Sequence, residues 1–170
     1  MNYPGLPWGK VYKRKLFEKV RFFPGYWYED TIIQSLIFTQ CKKFVYIPEV
    51  KYEYQWHESN FSHTQGGKKQ AKAIDRYWLL KAILDRYDEV GLKRDEAFYI
   101  MLLKHLSTYY YPTISSLSND IVQAMFISAR ELFLKYKPAS EVKLPYMLRC
   151  TEKALINKDI ALWKLCSVNQ

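Results

Sequence analysis

Two adjacent carboxylates, Glu29 and Asp30, stand directly before the run TIIQSLIFTQ. Within that run Ile33, Leu36, Ile37 and Gln40 follow helical spacing, which predicts a helix with both acids at its N-terminus. Free N–H groups and the helix dipole favour negative charge there, so a carboxylate is kept ionised and able to take a proton. The same place suits an ordinary cap, for which Asp is a preferred residue. Farther on, Tyr52, Tyr54 and Trp56 alternate and therefore share one face of an extended segment. Aromatic residues make up 17% of the chain, an abundance that serves either contact with sugars and partners or simple core packing. Cys41, Cys150 and Cys166 are widely separated, odd in number and without CxxC spacing, so neither a disulfide framework nor a zinc site is indicated.

The elements that must position these residues follow from periodicity. Lys13 to Val20 reads as a brief helix and Phe22 to Gly25 as a turn. Lys43 to Ile47 and Val50 to Trp56 alternate on either side of Pro48, which predicts a short β-hairpin. From His57 to Lys69 the chain is polar, contains Gly66-Gly67 and has the composition of a mobile loop. Beyond it the period becomes helical. Ala73, Tyr77, Leu80, Leu84 and Tyr87 form one apolar face that stops at Gly91. Tyr99, Leu103, Leu106 and Tyr110 form a second, before Pro112. Val122, Phe126, Ala129, Phe133 and Tyr136 form a third, begun by Ser118 to Asp120 and ended by Pro138. Met147 to Asn157 and Asp159 to Ser167 read as two shorter terminal helices. The expected fold is α+β and predominantly helical: a small α/β segment with a β-hairpin, residues 1–66, then a helical bundle, residues 67–170.

The string PWGKVYKRKLFEKVRFFPGYWYED, followed by YIPEVKYEYQWHESNFS, resembles the second half of family-two glycosyltransferases of the GT-A type. In that family a W-x-K-[LV]-[YF]-[KR]-x-x-[LF] segment leads through an [RK]-F-P-x-G turn to an E-D pair, and an I-P-x-x-x-Y-x-Y-[RQ] segment follows. The likeness covers about the first 62 residues in consistent order. It implies that Asp30, with Glu29 beside it, is the general base that takes the proton from the acceptor hydroxyl during inverting transfer. It implies that Trp8 and Lys10 lie on the acceptor side of the cleft, the indole stacking on a sugar face and the ammonium holding the loop or an anion. Core packing is the alternative for Trp8. It further implies that Tyr54, Gln55 and His57 lead into a flexible lid with Ser59, Asn60 and Ser62, where His57 approaches the donor diphosphate or a metal. Gln55 stands where Arg is common, and Asn60 where the family's lid Ser is expected. The alternative for His57 is a solvated surface residue.

The family places a nucleotide-binding βα unit and a D-x-D metal motif before this region. No D-x-D occurs in the sequence; D-R-Y-D at Asp85 to Asp88 has the wrong spacing, and Gly66-Gly67 alone is too little to cradle a phosphate. The resemblance therefore implies the acceptor-side part of an enzyme that uses a nucleotide sugar donor, a glycan or lipid-linked acceptor and a divalent manganese or magnesium ion. The isolated chain is expected to be inactive and to hold no cofactor.

Composition bounds the partners. With 26 Lys and Arg against 17 Asp and Glu, the net charge of +9 favours anionic partners. The basic residues are dispersed rather than striped, which argues against nucleic acid. Cysteine usage fits the cytoplasm, and no apolar run approaches the ~18 residues of a membrane span, so any membrane contact is expected to be peripheral, at the inner face. A competing expectation is a non-catalytic interaction module derived from such a transferase, which binds a partner or an anionic membrane surface through an exposed apolar or basic patch.

Overall fold

A computed structural model describes residues 6–59, 75–108 and 117–168. The chain forms two compact units, Met1–Leu92 and Lys93–Gln170. Both are helical, and no strand occurs among the described residues. Asn60, Ser62, most of the expected lid and the expected boundary at residue 66 lie outside the described residues.

In the first unit the brief helix expected from Lys13 is a single 3-10 turn, Arg14–Phe17, opened by the Leu16 N–H donating to Lys13 O at 3.0 Å. A turn at Pro24 and Gly25 brings the chain to α1, a continuous helical stretch over residues 30–40. It begins as α-helix (Asp30–Ile32), widens to π-helix (Ile33–Ile37) and tightens to 3-10 (Phe38–Gln40). Ile32, Ile33, Leu36 and Ile37 are all fully buried, so two adjacent pairs of branched side chains share one face. Carbonyls left at the C-terminal end are met by side chains. Thr39 Oγ1 donates to Ser35 O at 2.9 Å and Gln40 Nε2 to Leu36 O at 2.7 Å.

Helix α2, Asp75–Glu89, packs on the π segment of α1. Leu79, Leu80, Ile83, Leu84 and Tyr87 are its buried stripe, spaced one, three, one and three. Gly91, at φ +71°, ends it in the left-handed conformation, with the Leu92 N–H donating to Tyr87 O at 3.2 Å. Of the expected face, Leu80, Leu84 and Tyr87 are buried and Tyr77 is half-buried, while Ala73 lies outside the described residues; the expected stop at Gly91 is present.

The second unit contains four helices among the described residues: α3 (Glu96–Thr108), α4 (Asn119–Tyr136), α5 (Tyr146–Asn157) and α6 (Ile160–Val168). Asp95 Oδ1 accepts the Phe98 N–H at 3.0 Å and so caps α3; Asp159 Oδ1 accepts the Leu162 N–H at 2.9 Å and caps α6. Helix α5 ends at Lys158, a lysine in the left-handed region at φ 59°, and α6 begins two residues later. Trp163 is fully buried against Phe126, ring centroids 5.2 Å apart, and its indole N–H donates to Leu106 O at 3.1 Å. This satisfies the one polar atom that a buried tryptophan brings.

The β-hairpin expectation is corrected. Residues 43–47 and 50–56 take no regular secondary structure and pair with no strand among the described residues, and Phe44, Val45, Tyr46, Ile47, Val50, Tyr52, Tyr54 and Trp56 are all exposed. A lone two-stranded hairpin is marginal in water. The period-two pattern instead answers to a ring contact: Tyr52 and Tyr54 both meet Trp8.

Candidate functional site

Asp30 opens α1, and the turn leading into it is held in an uncommon shape. Tyr28 has φ 67°, in the left-handed region that non-glycine residues seldom enter. Its carbonyl accepts the Thr31 N–H at 3.0 Å, and that of Glu29 accepts the Ile32 N–H at 3.1 Å. Glu29 occupies the cap position with helical dihedrals and makes no side-chain cap hydrogen bond. Capping therefore does not account for the Glu29 carboxylate.

The first turn of α2 supplies what holds this shape. Asp75, buried, accepts the Trp27 N–H on Oδ2 at 3.1 Å. The Arg76 guanidinium carbon lies 4.0 Å from the centre of the Tyr28 ring, a cation–π contact worth about 0.5–2 kcal/mol depending on desolvation. Burial raises the proton affinity of Asp30, and the neighbouring Glu29 carboxylate raises it further; the Thr31 N–H and Arg76 pull it back down. The result is a carboxylate that is ready to take a proton and to hold it more tightly than a solvated Asp. Neither Asp75 nor Arg76 stood out in the sequence. The one signal available was an Asp-Arg pair at the start of a helical run.

A second cluster gathers the aromatic residues. Trp8 stacks on Tyr52 with ring centroids 5.2 Å apart and planes 20° apart, and on Tyr54 at 5.2 Å and 22°. All three residues remain partly exposed, Trp8 by 39% of its surface. Gly9 takes a φ of +67° without strain, whereas a Cβ there would meet the Tyr52 ring at an ordinary 3.7 Å, so glycine serves the backbone turn rather than the ring contact. Lys10 Nζ donates to Leu6 O at 2.8 Å and lies 3.5 Å from Trp8 O, so its ammonium closes the loop that presents the indole.

The remaining expected residues lie apart from Asp30 in the chain. His57 is exposed and its Nδ1 lies 2.7 Å from Ser59 Oγ, the two forming a local pair. Gln55 is exposed in the same stretch. Among the described residues no three His, Cys, Asp or Glu side chains come together to hold a metal ion, and one imidazole beside a neutral hydroxyl falls short of a divalent donor set. The described residues do not fit a metal site of their own.

Comparison with known proteins yields no match to a family model, a curated protein or a solved structure.

In the second unit a groove of about 590 Å³ is lined by residues that include Phe126, Ile127, Arg130, Glu131, Lys158 and Lys164. Arg130 Nε donates to Leu155 O at 2.9 Å, which fixes that guanidinium against the helices. Among the described residues no helix is long and apolar enough to cross a membrane.

Proposed function

We propose that the chain is the acceptor-side part of an inverting glycosyltransferase of the family-two, GT-A type. A sugar passes from a nucleotide diphosphate donor to a hydroxyl of a glycan or lipid-linked acceptor. Asp30 takes the hydroxyl proton as the acceptor oxygen bonds to the anomeric carbon. The bond from that carbon to the donor's phosphate oxygen breaks, and the nucleoside diphosphate leaves with the electron pair. The partly exposed aromatic cluster of Trp8, Tyr52 and Tyr54 is suited to contact with the apolar face of a sugar ring. The manganese or magnesium ion that the sequence resemblance implies would be held by the donor half rather than by the described residues.

The observation that carries this reading is the setting of Asp30. It is half-buried, flanked by a second acid, and held by a strained turn in which the neighbouring Glu29 plays no capping role. Sites that store backbone strain and shift a carboxylate toward neutral pH are the kind that perform proton transfer. The test is Asp30→Asn in the complete enzyme. Turnover is expected to fall by roughly 10² or more while donor affinity is retained. Near-normal turnover would remove the assignment.

A second reading is favoured by the other unit. Ile127, Leu134 and Leu165 are each about half exposed or more, beside a groove that carries Arg130, Lys158 and Lys164. These suit a non-catalytic module that binds a partner or an anionic membrane surface. Flotation with phosphatidylglycerol vesicles decides it: salt-sensitive capture supports the module, and no capture argues against the membrane form of it.

A further inference from the structure

Asp75 and Arg76 are adjacent in sequence, occupy the first turn of one helix and meet consecutive residues of the turn that delivers Asp30. We propose that they are positioning residues: Asp75 anchors the backbone at Trp27, Arg76 lies over the Tyr28 ring, and together they clamp the turn so that the Asp30 carboxylate keeps its place and its charge. The clamp stands on its own geometry. That the group it positions is a base rests on the transferase reading.

Three observations converge on the clamp. A tyrosine at φ 67° costs on the order of 1 kcal/mol and persists only where surrounding contacts over-determine it. Two such contacts are present, the 3.1 Å hydrogen bond to Asp75 and the 4.0 Å approach of Arg76. Asp75 is buried, a place an acid seldom takes without a structural use, and the hydrogen bond supplies one. The consequence for charge follows from who faces Asp30. Glu29 on its own turn opposes ionisation, and Arg76 from α2 favours it. Without the arginine, burial and the like charge act with only the Thr31 N–H and the residue's own backbone N–H against them. A guanidinium held over a ring is also restrained in place, so its charge stays near the turn.

The test uses the whole 170-residue chain and needs no activity. Carboxyl carbon resonances are followed by NMR through a pH titration, with the Asp30 signal assigned by its loss in Asp30→Asn. In Arg76→Ala the Asp30 midpoint should move to higher pH, and Arg76→Lys should restore it in part. Arg76→Gln retains a planar group without charge and serves if the alanine variant fails to fold; its midpoint should also rise. Amide exchange of Trp27 should quicken in Asp75→Ala and stay protected in Asp75→Asn, which keeps an acceptor oxygen. An unmoved Asp30 midpoint in a folded Arg76→Gln or Arg76→Ala variant overturns the proposal. In the complete enzyme the acid limb of the pH–rate profile should follow the NMR midpoint. A midpoint that moves while the limb stays leaves the clamp standing and removes Asp30 as the base.

Discussion

Asp30 carries opposing demands, and pH separates them. Its folded-state proton affinity is raised, mainly by burial and then by Glu29, so folding favours the protonated form. The stability this group contributes is present below its ordinary value of 3.8 and is lost as pH rises through its folded midpoint. Asp30→Asn removes that dependence while keeping a good first-turn residue. The variant should therefore melt at or above the wild-type temperature at pH 7, and the difference should shrink toward pH 3. Parallel melting curves at several pH values check it, and a variant that melts lower at pH 7 than at pH 3, relative to wild type, would contradict the sign. The acids at this helix start were legible in the sequence because helix-start chemistry is local. Asp75 and Arg76 were not, because the hydrogen bond from Trp27 to Asp75 spans 48 residues and no periodicity encodes it.

Helices with a complete apolar stripe were legible as elements, since three- and four-residue spacing is a property of the chain itself. Val122, Phe126, Ala129, Phe133 and Tyr136 appear on one buried face of α4 as their spacing predicts. The segment from residue 43 to 56 was not legible, because alternation is shared by a strand and by a ribbon that presents rings to a single tryptophan. The change from α to π to 3-10 within residues 30–40 was equally hidden, being a response to packing rather than to residue type. Element ends give two predictions. Lys158 holds a left-handed cap that glycine adopts without strain, so Lys158→Gly should stabilise the second unit by about 0.5–1 kcal/mol. Asp95→Ala removes the oxygen that accepts the Phe98 N–H and should destabilise the same unit by about 0.5–2 kcal/mol. Urea denaturation of each variant measures both, and a destabilised Lys158→Gly would mean that the lysine side chain makes up for its backbone.

For the molecule as a whole, the proposed acceptor-side role predicts that the chain by itself binds nucleotide sugars weakly. Calorimetry of the 170-residue chain with uridine and guanosine diphosphate sugars and manganese is expected to show no micromolar association. Tight binding would place the donor site within this chain and undo the division of labour proposed above. The net charge of +9 does not alter that expectation, because an unfocused positive field raises encounter rates more than it builds a pocket for a base and ribose.

The indole of Trp163 gives the molecule an optical asymmetry. It is sealed from solvent in the second unit, whereas Trp8, Trp56 and Trp78 in the first unit expose between 39% and 64% of their surface. A dissolved quencher such as iodide should therefore silence much of the first unit's emission and spare a blue-shifted component. That residual light reports mainly whether the second unit is intact, and in Trp163→Phe it should fall to what the half-buried Trp27 of the first unit retains. A single cuvette can thus follow the two units as separate signals while a ligand, a vesicle or denaturant is added.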